Sequence, residues 1–445
     1  MNIQRMNELI ELKQGVEDEF LGRPGVTGVD VGYKITGGEK TDQLAVRVYV
    51  AQKKGVRSVP KEERIPGTIN DAPTDVIERT FHLHPARMAM AEMKPMVDTG
   101  RYSPLRGGIS IGPCRVVGGY IYTGTLGCMV TDNATGDPMM LTNFHVAAVD
   151  ENWSAGDTMA QPSRVDGGSC PVDVVGDLRR AQVNTDVDAA VIRYDSDRGH
   201  ACEIEDIGDI NGTATAVVNM AVRKRGRTTE LTYGTVDSVS LSVRVDYGHG
   251  IGEVILRNQI GIEVDTTQST MFGTNGDSGS VVVDENNNVV GLYFAGNDDG
   301  SYGVANHIEA VLNAMDVSIC TQPKSFLKDF LDNKAKDLIK EFKEKEKEWK
   351  EKEKEWKEWK EKEWKEWKEK DKDIFEGPGG DLPIDPRQPF AAQAQAQSQP
   401  APRPAGNLEQ RLARLEAALA QLTHFISPEL RPDLSKGSLK RESDR

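Results

Sequence analysis

Residues Met271–Ser280 read MFGTNGDSGS, and this stretch decides how the chain is interpreted. Glycines flank the pair Asp277–Ser278 and leave its backbone uncrowded. A turn of that kind exposes a serine hydroxyl while the amides of Gly276 and Ser278 converge on one point. A carbonyl oxygen placed there is polarised beside the serine, and its tetrahedral oxyanion is stabilised. Glycine-serine turns also occur in ordinary loops, so the reading depends on a base and an orienting acid elsewhere in the chain.

Seven histidines are candidates for the base. His145 follows the apolar run of MMLTNFHVAAV (Met139–Val149) at a strand-to-turn transition, the expected place for a base serving Ser278. His82 and His84 alternate along FHLHP and read as ordinary strand residues. His200, His249 and His307 lie in turn or helix-start contexts, and His424 lies near the C-terminus. For the acid, NTDVDAAVIRY offers Asp186 and Asp188 on one face of a strand. Asp188 leads directly into the apolar run Ala189–Ile192. A second charge entering the core at Asp186 would be costly, so Asp188 is the expected acid. It would accept the Nδ1 proton of His145 and hold the ring.

Residues 81–322 hold many short strand-like runs between Gly, Asn and Asp turns, among them GTLGCMV, DAAVIRY, SLSVRVDY and NVVGLYF. Runs at this spacing predict an all-β sandwich or barrel domain. Residues 1–80 predict a small α+β unit. There an N-terminal helix precedes GVTGVDVGYK (Gly25–Lys34) and LAVRVYV (Leu44–Val50), which alternate as two strands of a hairpin, and then APTDVIE (Ala72–Glu78).

The remainder has a different character. Residues 323–375 carry five of the six tryptophans (349, 356, 359, 364 and 367) among alternating Lys and Glu. Their i,i+4 Glu–Lys pairs predict a long charged helix. At about 1.5 Å per residue, roughly 45 residues would span about 70 Å. This segment is either a solvated spacer or a self-associating or docking surface. Residues 376–406 are rich in Pro, Ala, Gln and Gly and predict a disordered linker. In 407–445, Leu408, Leu412, Leu415, Leu419, Leu422 and Ile426 form an a/d seam, which predicts a short coiled-coil tail. The competing outcome is packing of this helix on the globular body.

The net charge of −15 falls entirely on residues 81–322, with 16 Lys+Arg against 31 Asp+Glu. An acidic body repels phosphate backbones, so no nucleic-acid partner is expected. No run approaches the ~20 apolar residues of a membrane span. The N-terminus lacks the apolar core of a secretory signal. Five cysteines (114, 128, 170, 202 and 320) show no metal-ligand spacing and read as small buried thiols. No metal, cofactor or membrane partner is expected, and the expected location is cytoplasmic.

His145 in LTNFHVAA, Asp188 in VDAAVI and Ser278 in GDSGS, taken in that order, resemble the trypsin-like (chymotrypsin-fold) serine peptidases. The similarity is closest to an intracellular-type branch found in bacteria and plants. That branch shares GVTGVDVGYK, LAVRVYV, PTDVIE, GTLGCMV and the turn of DGGSCPVDVVGDL, so the resemblance covers about residues 20–320. It implies a mainly β fold of two six-stranded-type antiparallel β-barrels, with the site in the cleft between them. The small N-terminal α+β unit and a C-terminal helical, coiled-coil extension would flank these barrels. It also implies hydrolysis of peptide bonds by a Ser-His-Asp triad, with Gly276 and Ser278 as oxyanion donors.

The resemblance further places Phe272 at the floor of the primary specificity pocket, next to Gly273. Phe294 and Gly296, in LYFAGN, fall on the substrate-pairing edge. An aromatic, uncharged pocket argues against Arg/Lys preference, although Phe272 is equally suited to plain core. Secreted relatives bridge a cysteine after the histidine to the preceding strand. Here Val146 follows His145, so Cys128 has no such partner. With a long segment preceding the barrels, activation is expected to be constitutive, oligomer-driven or proteolytic. The expected function is a serine endopeptidase acting on selected protein or peptide partners, homo-oligomeric through the C-terminal helices. The alternatives are an interaction scaffold that retains the fold, and an esterase or self-cleaving protein.

Overall fold

A computed structural model describes residues 3–89 and 97–321, together with scattered helical positions between 344 and 366. GVTGVDVGYK and LAVRVYV fold as the antiparallel strands Val26–Thr36 and Glu39–Val50. Gly37 and Gly38 form the connecting turn at φ of 63° and 88°, a left-handed region that side chains disfavour. APTDVIE is the strand Ala72–Glu78, parallel to Glu39–Val50. The helix Ile3–Leu21 covers this layer and buries Met6, Leu9, Phe20 and Leu21.

Six strands make one barrel: Ala221–Gly226, Glu230–Asp246, Glu253–Val264, Tyr302–His307, Asn288–Gly296 and Val281–Asp284. It closes because Ala221–Gly226 pairs with both Glu230–Asp246 and Val281–Asp284. The other barrel runs through Cys128–Asp132, Pro138–Thr142, Asp188–Tyr194, Val174–Val183, Thr158–Ala160, Ile109–Pro113 and Tyr120–Leu126. Its last strand continues through Gly127 into its first. Inward phases of these strands fill both interiors. In the 17-residue strand Glu230–Asp246, Leu241, Val243 and Val245 are buried on one phase. The expected mainly β, two-barrel class describes this architecture.

The N-terminal layer shares a sheet with the barrel that contains Glu230–Asp246, because Gly28 and Val29 pair with Val243 and Ser242. Buried ion pairs reinforce the junction. Arg47 lies on Asp30 at 2.7 and 2.5 Å and reaches Asp237 of the barrel at 2.7 Å. Gly32 is required beside it, since a Cβ there would lie 2.2 Å from the guanidinium carbon. On the helix, Lys13 pairs with Glu17 and donates to Ser242 at 2.6 Å. Breaking one partner of such a pair costs about 3–5 kcal/mol, which makes residues 3–80 an integral layer of the barrel unit.

The cysteines depart from the expectation of five thiols. Cys114 is bonded to Cys170 and Cys202 to Cys320, with Cα separations of 6.0 and 5.3 Å. The partners are 56 and 118 residues apart, and a one-dimensional spacing carries no sign of such pairings. Cys128 alone is free, and burial pushes its thiol up to about 12. Alkylation after denaturation without reductant is expected to modify Cys128 alone, and modification of all five would overturn the pairing.

Where residues between 344 and 366 are described they are helical, with Lys365 3.3 Å from Glu361 and Trp356 and Trp359 more than half exposed. The linker 376–406 and the coiled-coil tail 407–445 lie outside the described residues. Among the described residues no helix is long and apolar enough to cross a membrane.

Candidate active site

The strand Pro138–Thr142 ends at Asn143 and turns into the short helix Phe144–Ala147, which carries His145. The neighbouring strand begins at Asp188. Asp188 is fully buried, whereas Asp186 is exposed at the preceding turn. Asp188 Oδ2 lies 2.5 Å from His145 Nδ1, and Oδ1 accepts the His145 backbone amide at 3.3 Å. Asn143 Nδ2 donates to the Asp188 carbonyl, and Asn306 Oδ1 accepts its amide. The acid is therefore held by both backbone and side chain.

Tyr247 adds a contact that the sequence reading missed. Its hydroxyl donates to Asp188 Oδ2 at 2.8 Å, and its ring stands edge-on to His145. Burial, with the Asp188 carboxylate beside it, raises the Tyr247 hydroxyl well above its usual range, so it stays protonated and can donate to Asp188. The signal for Tyr247 was available, because it continues the inward phase of Leu241, Val243 and Val245.

Ser278 sits between Gly276 and Gly279, at φ of 101° and 96°. A Cβ on Gly276 would meet Thr228 Oγ1 at 2.3 Å, and one on Gly279 would meet the Thr125 carbonyl at 2.1 Å. Thr125 also braces the turn, with its amide on the Ser278 carbonyl and its hydroxyl on the Gly276 carbonyl. Gly124 keeps the barrels close, since a Cβ there would contact Val146 at 2.5 Å and the Ser278 carbonyl at 2.8 Å.

Three features differ from the expected resting arrangement. Ser278 Oγ donates to the Phe294 carbonyl at 3.1 Å, and His145 Nε2 is buried without a hydrogen-bond partner. The amide of Gly276, expected to receive a substrate oxyanion, donates instead to the His84 carbonyl at 2.6 Å.

Asp277, adjacent to the serine, is buried and fully satisfied. It accepts from the amides of Thr228, Thr229 and Thr274 at 2.9, 3.1 and 3.0 Å and from Thr229 Oγ1 at 2.7 Å. Lys224 Nζ lies 3.2 Å away, between the rings of Phe272 and Tyr293. Burial alone would push the Asp277 carboxyl up, but the Lys224 ammonium and these donors outweigh it and hold it low. Lys224 therefore supplies the cation for Asp277 from within the barrel. Its sequence signal was a lysine on the inward phase of Val222 and Gly226.

Phe272 is core. It is fully buried, edge-on to Tyr293 at 5.8 Å, and packed where a Cβ on Gly303 would clash at 2.6 Å. The Tyr293 hydroxyl covers it on the pocket side, and a Cβ on Gly273 or Gly296 would approach that hydroxyl to 2.5 or 3.0 Å. Gly273 and Gly296 thus both lie against the Tyr293 hydroxyl. Phe294 contributes its carbonyl while its ring is buried. His84, expected to be an ordinary strand residue, is buried beside them with Nδ1 2.6 Å from Tyr293 Oη. No group of residues suited to holding a metal occurs among the described residues.

No family model matches the chain. It is 34% identical over 139 residues to glutamyl endopeptidase 2 of Streptomyces griseus, which spans 30% of this chain and 65% of that protein. It is 32% identical over 143 residues to serine protease 1 of Streptomyces fradiae, across 32% of this chain and 37% of that one. The chain thus covers less than two thirds of either relative's length. Among solved structures, a glutamic acid-specific serine protease described as using a histidine triad in substrate binding matches at 25% identity. That match covers 48% of this chain and all of the other, with a TM-score of 0.37. The chain is thus similar in sequence to the two Streptomyces proteases over 30–32% of its length, and it has a two-barrel β architecture.

Proposed function

We propose that the protein is a serine endopeptidase in which Ser278 attacks the scissile carbonyl and His145 takes its proton. His145 then protonates the leaving amine, and water resolves the acyl-enzyme. Asp188 holds the His145 tautomer and stabilises the imidazolium, and the Gly276 and Ser278 amides hold the oxyanion. The observation that carries this reading is the buried His145–Asp188 hydrogen bond, set at the barrel edge that also packs the Ser278 turn. Each oxyanion donor is expected to contribute about 3 kcal/mol to transition-state stabilisation.

The pocket walls Gly273, Tyr293 and Gly296 carry no carboxylate, which supports an uncharged or acidic primary residue over Arg or Lys. A glutamyl endopeptidase among the relatives supports the same direction. Fluorophosphonate labelling and a peptide panel with Glu, Phe or Arg at the primary position would test both statements. Ser278→Ala is expected to abolish labelling and hydrolysis. Ser278-independent turnover would sink the mechanism, and preferred cleavage after Arg would sink the specificity.

The protein is further proposed to assemble through its C-terminal helices. Light scattering with and without residues 407–445 should give a larger particle only for the full chain, and a monomer in both cases would reject assembly. A catalytically weak interaction scaffold is the alternative function. For the compartment, the two cystines favour an oxidising environment over the cytoplasmic one expected from the sequence. Recovery of all five cysteines as thiols from cells would restore the cytoplasmic reading.

A further inference from the structure

The substrate-pairing edge Asn288–Gly296 is already paired. The strand His82–Leu83 runs antiparallel to it, with Leu83 opposite Ala295 and His82 opposite Gly296. The next residue makes the contacts of a bound peptide. The His84 amide donates to the Phe294 carbonyl at 3.4 Å, and its carbonyl accepts the Gly276 amide at 2.6 Å. The His84 ring enters the pocket, 5% exposed, where a Cβ on Gly296 would lie 2.7 Å from its Cε1. Beyond Pro85, the strand Ala86–Ala89 pairs antiparallel with Tyr120–Leu126 of the other barrel. One extended segment therefore crosses the cleft from barrel to barrel, through the position where a scissile residue belongs.

We infer that residues 82–86 are a built-in, substrate-like occupant of the active-site cleft, with His84 in the primary pocket, and that the chain in this form is self-occluded. This rests on the peptidase reading for what the cleft does. Several independent features agree with it. Ser278 is fully buried, so no second polypeptide reaches its hydroxyl. The cavity that remains, about 500 Å³, is lined by Leu83, Pro85 and Ala86 together with Tyr122, His145 and Tyr247. Burial holds the His84 imidazole at about 4, so the ring bound at neutral pH is uncharged. The occupant is held rather than cut. Its following bond is to Pro85, whose ring crowds the nitrogen that His145 would have to protonate, and Ser278 Oγ is turned to the Phe294 carbonyl.

The test compares the full chain with L83D/H84G, two positions outside the catalytic groups. Amide hydrogen exchange of the peptides containing Gly276 and residues 293–296 reads occupancy without requiring activity. Fluorophosphonate labelling reads access to Ser278. The variant is expected to exchange and label at least tenfold faster, and a synthetic peptide of residues 79–88 should slow its labelling again. Equal exchange in the two folded proteins would overturn the inference. So would rapid exchange at Gly276 in the wild type, a result that needs no variant to fold. A chain recovered cleaved between His84 and Pro85 would also overturn it. Faster exchange with labelling in neither protein would support occlusion while rejecting the peptidase reading.

Discussion

Asp188→Asn is expected to lower the rate of Ser278 labelling and of peptide hydrolysis by about 10⁴-fold. Asp188 Oδ2 receives hydrogen bonds from two sides, at 2.5 Å from His145 Nδ1 and 2.8 Å from the Tyr247 hydroxyl. An ionised carboxylate accepts both. An asparagine side chain carries two donor protons and one acceptor oxygen. If its oxygen takes the Oδ1 position, which accepts the His145 backbone amide, its NH2 takes the Oδ2 position, opposes the His145 Nδ1 proton and drives the ring to the other tautomer. The proton then sits on Nε2, where it cannot be taken from Ser278. The substitution is isosteric, so the melting temperature should move far less than the rate. The experiment is a labelling time course on the wild type and on D188N, each in the L83D/H84G background that opens the cleft. A loss below tenfold would mean that Asp188 does not set the tautomer.

Lys224→Met is expected to destabilise the protein by about 3–5 kcal/mol, because it leaves the buried Asp277 carboxylate without its cation. That is a large part of the ~5–15 kcal/mol typical of a native domain. The same change loosens the turn carrying Gly276 and Ser278, so in the L83D/H84G background that opens the cleft, labelling should fall with stability. The pH dependence follows from the sign of the Asp277 shift. In the wild type its carboxyl is held low. Its contribution to stability is therefore present above the unfolded value of about 3.9 and lost as pH falls through the lower folded value. Without Lys224, burial raises the folded carboxyl instead, and the ionised form penalises folding at neutral pH. The gap in melting temperature between wild type and variant should be widest near pH 7 and narrow toward pH 4. Adding Asp277→Asn to Lys224→Met should recover much of the loss, and a pH-independent gap with no recovery would reject the ion-pair account.

Much of the candidate site's layout was legible before the fold. Ser278 lay in a turn whose glycines are sterically required, and His145 lay at the end of an apolar run that proved to be a barrel strand. Asp188 preceded four apolar residues, and the cost of burying two charges favoured it over the exposed Asp186. The hairpin of Val26–Thr36 and Glu39–Val50 was equally plain, because period-two alternation and a Gly-Gly turn are local signals. Phe272 could not be assigned to pocket or core by sequence, since both roles call for an aromatic side chain. The four paired cysteines were misread because spacing alone says nothing of partners 56 and 118 residues away.

The sequence by itself determined the alternating strands and the placement of MFGTNGDSGS, His145 and Asp188 at turns and strand ends. These follow from steric and periodic rules acting over a few residues. Only the tertiary structure decided what each inward-facing side chain meets. Lys224 and Asp277 are 53 residues apart, Tyr247 and Asp188 are 59 apart, and His84 reaches Tyr293 across 209. Alternation states that a residue points inward, but burying a charge or a ring is tolerable only against a particular partner, and barrel closure selects that partner. For the same reason FHLHP read as an ordinary strand. Its identity as the occupant of the cleft depends on a sheet edge completed more than two hundred residues later.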